Sequence, residues 1–322
     1  TKIMEKNPCR IVFFGTPQFA VPILDSLARN AQVVLVVSQP DRPGGRGCKL
    51  CKSEVKQHAE FLGIEVIQPT VSKGKRFADC IASYKPDFLV TAAYGCLLGK
   101  SVLDTPKKAS LNVHASLLPK YRGAAPAAWA LLDGEVETGV SVMKMEVELD
   151  AGPVFSQVKT LISENENVTE LLDRLSMIGA EAIANVIQNF DSLNPIEQDH
   201  AKATYARMLT KQDGEIDWTR SAQDLHNHIR GMSQWPSAFT TEGTVVLKIH
   251  KAQVFHSSGV HGLPGQVVAV SKDGIDTACG QGILRLLEVQ APGKKRMPAC
   301  CYVMGHCIQE GIVLGRKIDR SN

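Results

Sequence analysis

The sequence predicts an α/β chain: a mostly parallel sheet covered on both faces by helices, followed by a smaller all-β region. Three observations predict it. Nearly continuous apolar runs alternate with helix-periodic stretches as far as Phe190, the pattern of parallel strands buried on both faces. Beyond Phe190 the runs shorten, and Gly and Pro break them about every ten residues, as in a small barrel or sandwich. The length, 322 residues, suits one large domain or two ordinary ones.

Taken in order, Arg10 to Phe14 is the first strand. Gly15 turns the chain, Thr16 stands where a helix N-cap belongs, and Pro17 stands where the first helical residue belongs. Val21, Leu24, Leu27 and Ala28 continue at helical spacing. Gln32 to Ser38 is a second buried strand, Ser53 to Leu62 a helix and Glu65 to Ile67 a short strand. Phe88 to Ala92 and Leu111 to Val113 are further apolar strands, Val140 to Val147 is a later one, and Val168 to Phe190 is a long helix. Asp191 to Tyr205 is polar, contains Pro195 and reads as a linker. Strand-like runs then follow at Val245 to Ile249, Gly265 to Ala269, Gly274 to Ala278 and Ile283 to Val289.

Composition excludes several classes. Hydrophobic residues make up 44% and charged residues 21% of the chain, which is globular rather than disordered, collagenous or coiled coil. No apolar run reaches the ~18 residues of a membrane span. The net charge of +3 is too small to call a nucleic-acid binder by charge alone, although residues 207–317 hold 13 Lys/Arg against 9 Asp/Glu. Nine cysteines, an odd number spread along a long chain, read as reduced thiols rather than a disulfide framework. Residues 1–8 lack the apolar core of a secretion signal and the pattern of a transit peptide, so the expected location is cytoplasmic. No heptad or apolar surface stripe is readable, and a monomer is expected.

The most informative stretch is Asn112-Val113-His114-Ala115-Ser116-Leu117-Leu118-Pro119, continuing to Gly123. Asn112 and His114 lie two apart at a strand end, so their side chains share a face. In open α/β sheets the carboxyl ends of strands open onto the ligand crevice. An amide beside an imidazole can hold a developing oxyanion and move a proton. Asp150 follows an apolar run and precedes Ala151-Gly152-Pro153, where a carboxylate can orient His114. On spacing alone these three also fit a surface histidine, a turn asparagine and a turn aspartate.

Gln39 to Leu50 is a long Gly-rich loop, and residues 39–56 hold five basic and two acidic residues. Arg and Lys on such a loop suit phosphate backbones, and a solvated loop fits equally well. The chain has neither a Walker loop nor G-x-G-x-x-G, which disfavours a nucleotide cofactor. Cys48-x-x-Cys51 has no matching second pair, since Cys300, Cys301, His306 and Cys307 form none, and His226 with His228 is no better; no metal is expected. Ala92 to Leu98 follows a strand, and its small residues permit either close approach of a flat ligand or close packing.

The run from Asn112 to Gly123, with Asp150 downstream, resembles the signature of the folate-dependent formyltransferases. The resemblance is collinear over nearly the whole chain and is greatest to the members that formylate methionyl-tRNA. It includes Phe14-Gly15-Thr16-Pro17 with Val21-Pro22, Asp41-Arg42-Pro43 to Gly47, and Tyr121 to Pro126. In the second half it includes Ile216-Asp217-Trp218, Trp235-Pro236, Gly282-Ile283-Leu284 and Pro292 to Lys295. Cys48, Cys51 and the Cys300 to Cys307 tail depart from the pattern.

The resemblance implies a Rossmann-like formyltransferase domain over residues 1–190, a linker over 191–206 and a C-terminal β-barrel, OB-like and tRNA-binding, over 207–322. It implies formyl transfer from 10-formyltetrahydrofolate, a cosubstrate, to the α-amino group of methionyl initiator tRNA, with no tightly bound cofactor and no metal. Asn112, His114 and Asp150 are then the catalytic residues. Ser116, Leu117, Leu118 and Pro119, with Tyr94, Gly95 and Leu97, are expected at the folate, and Arg42, Arg46 and Lys49 at the tRNA. The rival readings are a formyltransferase acting on a small amine and a non-catalytic RNA-binding module.

Overall fold

A computed structural model describes residues 9–44, 49–306 and 308–316. The chain forms two compact units: residues 1–126, 137–161 and 172–206, and residues 127–136, 162–171 and 207–322.

The first unit is built on a seven-stranded sheet. From one edge the order is Val154–Leu161, Glu137–Lys144, Ala109–His114, Phe88–Ala92, Arg10–Gly15, Gln32–Val37 and Val66–Ile67. The last five are mutually parallel, and Glu137–Lys144 runs antiparallel to both of its neighbours. The expected mostly parallel sheet is therefore present. Phe88–Ala92 is buried throughout and Arg10–Gly15 nearly so, which is why they read as unbroken apolar runs. Val154–Leu161 was not expected from the sequence; it is an edge strand with a half-exposed, polar pattern.

Helices start where short polar side chains satisfy free amides. Ser53 accepts from the Lys56 amide at 3.2 Å and caps Glu54–Phe61. Asn167 and Glu170 cap each other's amides at the start of Val168–Asn189. Thr16 departs from expectation. A 3₁₀ turn over Gln18–Ala20 precedes the helix Val21–Asn30, and the Thr16 hydroxyl instead donates to the Tyr94 carbonyl at 3.0 Å. Gly179 lets the long helix approach the sheet, since a Cβ there would stand 2.8 Å from Val113 Cγ1.

Residues 191–206, read from the sequence as a linker, are part of this first unit. Tyr205–Ala206 pairs with Arg122–Gly123, and buried Gln198 bonds inward. Much of the segment is exposed, as its polarity suggested, but Gln198, Thr204 and the Ala206 backbone bond to the rest of the unit.

The second unit carries a six-stranded antiparallel sheet. Ala238–Glu242, Val245–His256, Ile283–Gln290, Gly274–Ala278 and Val267–Ser271 are neighbours in that order, and Met297–Pro298 adds to Ile283–Gln290. The core gathers Trp218, Leu225, Ile229, Leu247, Leu284, Leu286 and Tyr302. Helix Ala222–Gly231 brings His226 and His228 into this interior, where His228 Nε2 donates to the Asp213 carbonyl at 2.7 Å.

Burial pushes the His226, His228 and His250 imidazoles below their ordinary 6.5, because a charged ring there loses its water. The unfolded chain therefore binds more protons below pH 6.5 than the folded unit does. The stability these neutral rings support is present above that pH and is lost as the pH falls through their lowered folded values. Thermal melts should show the midpoint dropping as the pH falls from about 7 through the ordinary imidazole value of 6.5 and below it. His228→Gln should flatten that slope. A slope unchanged by the substitution would assign it to other groups.

Candidate active site

The chain leaves Val66–Ile67 at one edge and re-enters the sheet at Phe88–Ala92, on the other side of Arg10–Gly15. Connections therefore diverge between those two central strands, and their carboxyl ends bound a crevice. Thr91 stands beside Asn112 in the next parallel strand, so the end of Ala109–His114 lies one strand from the divergence.

Asn112, His114 and Asp150 meet there. Asn112 Nδ2 donates to Asp150 Oδ1 at 3.4 Å, and His114 Nδ1 stands 3.7 Å from Asp150 Oδ2. His114 and Asp150 are buried and Asn112 is partly exposed. Period-two geometry thus puts both strand residues toward one carboxylate. The sequence reading expected Asp150 to orient His114. The hydrogen bond that fixes the ring is instead His114 Nε2 donating to the Tyr121 carbonyl at 2.8 Å. A carbonyl only accepts, so Nε2 carries a proton and Nδ1 is the nitrogen facing the carboxylate. Asp150 Oδ2 accepts the Gly123 amide at 2.8 Å. The carboxylate thus faces the imidazole from 3.7 Å, held in place by the Gly123 amide and the Asn112 side chain.

The backbone around the trio takes unusual conformations. Tyr121 has φ +59° and Asp150 φ +53°, both left-handed and uncommon for residues with a side chain. Gly123 has φ +114°, and a Cβ there would stand 2.6 Å from the Ala206 carbonyl oxygen. Sequence reasoning gave no role to Tyr121, Arg122, Gly123 or Gln198. Arg122 and Gly123 lie inside a motif already singled out, whereas nothing local marks Gln198.

The residues expected at folate divide into two turns. In Ser116 to Pro119, Ser141 Oγ donates to the Ser116 carbonyl at 2.7 Å and accepts the Leu118 amide at 3.1 Å. The Gln157 amide donates to the Leu118 carbonyl at 2.7 Å. Leu118 packs with Met143 and Val154, while Leu117 and Pro119 are partly exposed. In the other turn the Tyr94 ring belongs to the core: it packs edge-on to Phe14 at 5.4 Å, and its hydroxyl bonds Ser72 Oγ at 2.6 Å. Gly95, Cys96 and Leu97 are the surface that this turn offers.

The basic loop is an antiparallel hairpin, Arg42–Gly44 against Lys49–Cys51. Its base is pinned. Lys56 Nζ bonds Asp41 Oδ2 at 2.7 Å and Gln68 Oε1 at 2.6 Å, and the Gln68 amide donates to the Gln39 carbonyl and Asp41 Oδ1. Lys56 above all, with Gln68, holds the Asp41 carboxyl below its ordinary range. Arg42 is exposed on this base. Arg46 and Cys48 lie outside the described residues, and of Lys49 only the backbone is described.

Comparison with known proteins divides the chain in sequence near residue 200. A family model described as formyl transferase matches residues 9–187, and one described as formyl transferase, C-terminal domain, matches residues 208–306. The methionyl-tRNA formyltransferase of Citrifermentans bemidjiense is 44% identical over 96% of this chain and 97% of its own length. The chain belongs to the methionyl-tRNA formyltransferase family. The relative from Sorangium cellulosum is 43% identical over 95% of this chain and all of its own. The fold is shared more widely. A sugar 3N-formyl transferase, WlaRD, crystallised with dTDP and 5-N-formyl-THF, superposes with a TM-score of 0.63 at 17% identity, over 89% of this chain and 99% of that one. The family is thus defined over both units, including the Asn112-to-Gly123 run and Asp150.

Proposed function

We propose that this protein transfers the formyl group of 10-formyltetrahydrofolate to the α-amino group of methionine on initiator tRNA, yielding formylmethionyl-tRNA and tetrahydrofolate for translation initiation. The observation that carries the reading is the convergence of Asn112, His114 and Asp150 in a chain whose full-length relatives are methionyl-tRNA formyltransferases.

The chemistry follows from the side chains. The neutral amine of methionine attacks the formyl carbon, and the carbonyl electrons move onto oxygen. Asn112, the partly exposed member, donates its amide to that oxyanion. His114 accepts a proton from the attacking nitrogen at Nδ1 and delivers it to the folate nitrogen as the carbon–nitrogen bond to folate breaks and the carbonyl re-forms. One proton leaves the amine and one arrives on tetrahydrofolate. Asp150 offers negative charge 3.7 Å from Nδ1 and stabilises the imidazolium while the proton is on it. The Ser116–Pro119 and Tyr94–Leu97 turns border the folate, through Leu117 and Pro119 in the first and the open backbone at Gly95 in the second.

In this reading the first unit does the chemistry and residues 207–322 hold the tRNA, with Arg42, Arg46 and Lys49 meeting the acceptor end. The enzyme works as a cytoplasmic monomer. Among the described residues no helix is long and apolar enough to cross a membrane.

Incubation with formyl-folate and either charged initiator tRNA or small amines tests the reading. Product on the tRNA alone is expected. Turnover of a nucleotide-sugar amine or glycinamide ribonucleotide with none on tRNA would overturn it, and tRNA binding without turnover would make the protein a binding module. Arg42→Ala should raise KM for tRNA while sparing folate affinity. It should also lower the salt slope of tRNA binding by about 1, the signature of one lost phosphate contact. Equal losses for both substrates would mean that the hairpin shapes the first unit instead.

A further inference from the structure

We propose that Gln198 is a positioning residue for Asp150, locked in that role by the buried guanidinium of Arg122. The assignment rests on the reading that Asp150 works with His114.

Asp150 stands in a left-handed conformation, and its carboxylate direction depends on that backbone being held. Gln198 holds it. Both hydrogens of its amide are used on the same loop, one on the Asp150 carbonyl at 2.8 Å and one on the Gly152 carbonyl at 2.7 Å. Its oxygen accepts from Arg122 Nε at 3.2 Å and Nη2 at 2.9 Å. A guanidinium only donates and a carbonyl only accepts, so the amide has one orientation that satisfies every partner. Flipping it would set its oxygen against two carbonyls and its hydrogens against a cation.

Arg122 is 1% exposed, and nothing in the formyl transfer requires a buried cation beside the site. It also contacts His200 Nδ1 at 3.0 Å and Glu148 Oε1 at 3.6 Å. The neighbouring backbone is tied to the same segment: the Arg122 amide donates to the Thr204 carbonyl at 2.8 Å and the Ala124 amide to the Ala206 carbonyl at 2.8 Å. The Tyr121 amide donates to Thr204 Oγ1 at 2.9 Å. Residues 198–206 therefore grip the segment that bonds His114 and Asp150 and the loop that presents Asp150. They hold Tyr121 to Ala124, which bond His114 and Asp150, and the Asp150 to Gly152 turn. A buried network this fully bonded fixes geometry more than it adds stability.

The test is a double-mutant cycle on the intact enzyme, with kcat and KM measured for formyl-folate and charged tRNA. Gln198→Ala should lower kcat about 10- to 100-fold, the cost of a catalytic group displaced by roughly 1 Å, with both KM values near wild type. In an Asp150→Asn background the same change should cost no more than about twofold, because its route of action is already removed. Gln198→Glu keeps the volume and the Arg122 partner but lacks both donors, and it should show the same kcat loss if the alanine variant folds poorly. Amide exchange at Gly123, whose hydrogen is on the Asp150 carboxylate, reads positioning apart from turnover and should quicken in Gln198→Ala. Wild-type kcat in both Gln198 variants, a loss that multiplies fully with Asp150→Asn, or unchanged Gly123 exchange would overturn the proposal. Full kcat in Asp150→Asn, with Gly123 exchange quickened in Gln198→Ala, would overturn the catalytic reading of Asp150 and leave the positioning intact.

Discussion

Asn112→Ala and His114→Ala each lower kcat for formyl transfer by about 10²–10³-fold while the fold persists. Asn112 is partly exposed at the strand end, and the amide hydrogen not turned to Asp150 is available to an oxyanion that exists only in the tetrahedral adduct. A donor used only there stabilises the transition state and not the ground state, and its removal shows in kcat rather than KM. His114 has one nitrogen committed to the Tyr121 carbonyl, which fixes the ring, and the other turned toward Asp150. Alanine removes the proton carrier and leaves a polar site that water can enter. Asp150→Asn preserves shape, removes the charge beside Nδ1 and should also lose about 10²-fold or more. Because the three act as a unit, the Asn112→Ala/Asp150→Asn double variant should fall well short of the product of the single losses. Single-turnover rates and thermal melts check this together. A variant of any one with wild-type turnover removes that residue from the mechanism.

Gly123→Ala should damage both stability and rate. The residue sits at φ +114°, where a side chain is strained whatever space surrounds it. Space is also absent, since the new Cβ would meet the Ala206 carbonyl oxygen at 2.6 Å, and that neighbour is backbone. Strain and overpacking together cost about 3 kcal/mol. Relief requires the Arg122–Gly123 and Tyr205–Ala206 pairing to open, and the Gly123 amide then leaves the Asp150 carboxylate. The expected result is a lower melting temperature together with a kcat reduced about 10²-fold. Asp150→Asn should instead lose rate at nearly constant stability. A Gly123→Ala enzyme that melts and turns over like wild type would show that the loop can move without moving the carboxylate.

Local signals reported the elements they encode. The helix expected to open at Ser53 does so, with Ser53 as its cap, and the apolar strands lie where unbroken runs of Val, Leu and Phe placed them. Errors arose where a residue's partner is far away in the chain. Thr16 has the chemistry of a cap, yet its hydroxyl goes to Tyr94, 78 residues on. The run around Arg42 reads as a loop because glycine and proline hide strand pairing, yet Arg42–Gly44 pairs with Lys49–Cys51. Val154–Leu161 escaped notice because an edge strand with one wet face lacks the apolar run of its buried neighbours.

The chain's own order of residues settled the α/β class, the shared face of Asn112 and His114, and the motif that Asp150 completes. Periodicity and strand-end spacing are local quantities, so a single sequence carries them. Folding alone decided that Tyr121 rather than Asp150 holds the imidazole, and that Gln198 and Arg122 stand behind the carboxylate. The physical reason is that a polar side chain looks the same in sequence whether water or a carbonyl 48 residues away takes its hydrogen bond. Only burial, which the whole chain creates, removes the water and makes that partner compulsory.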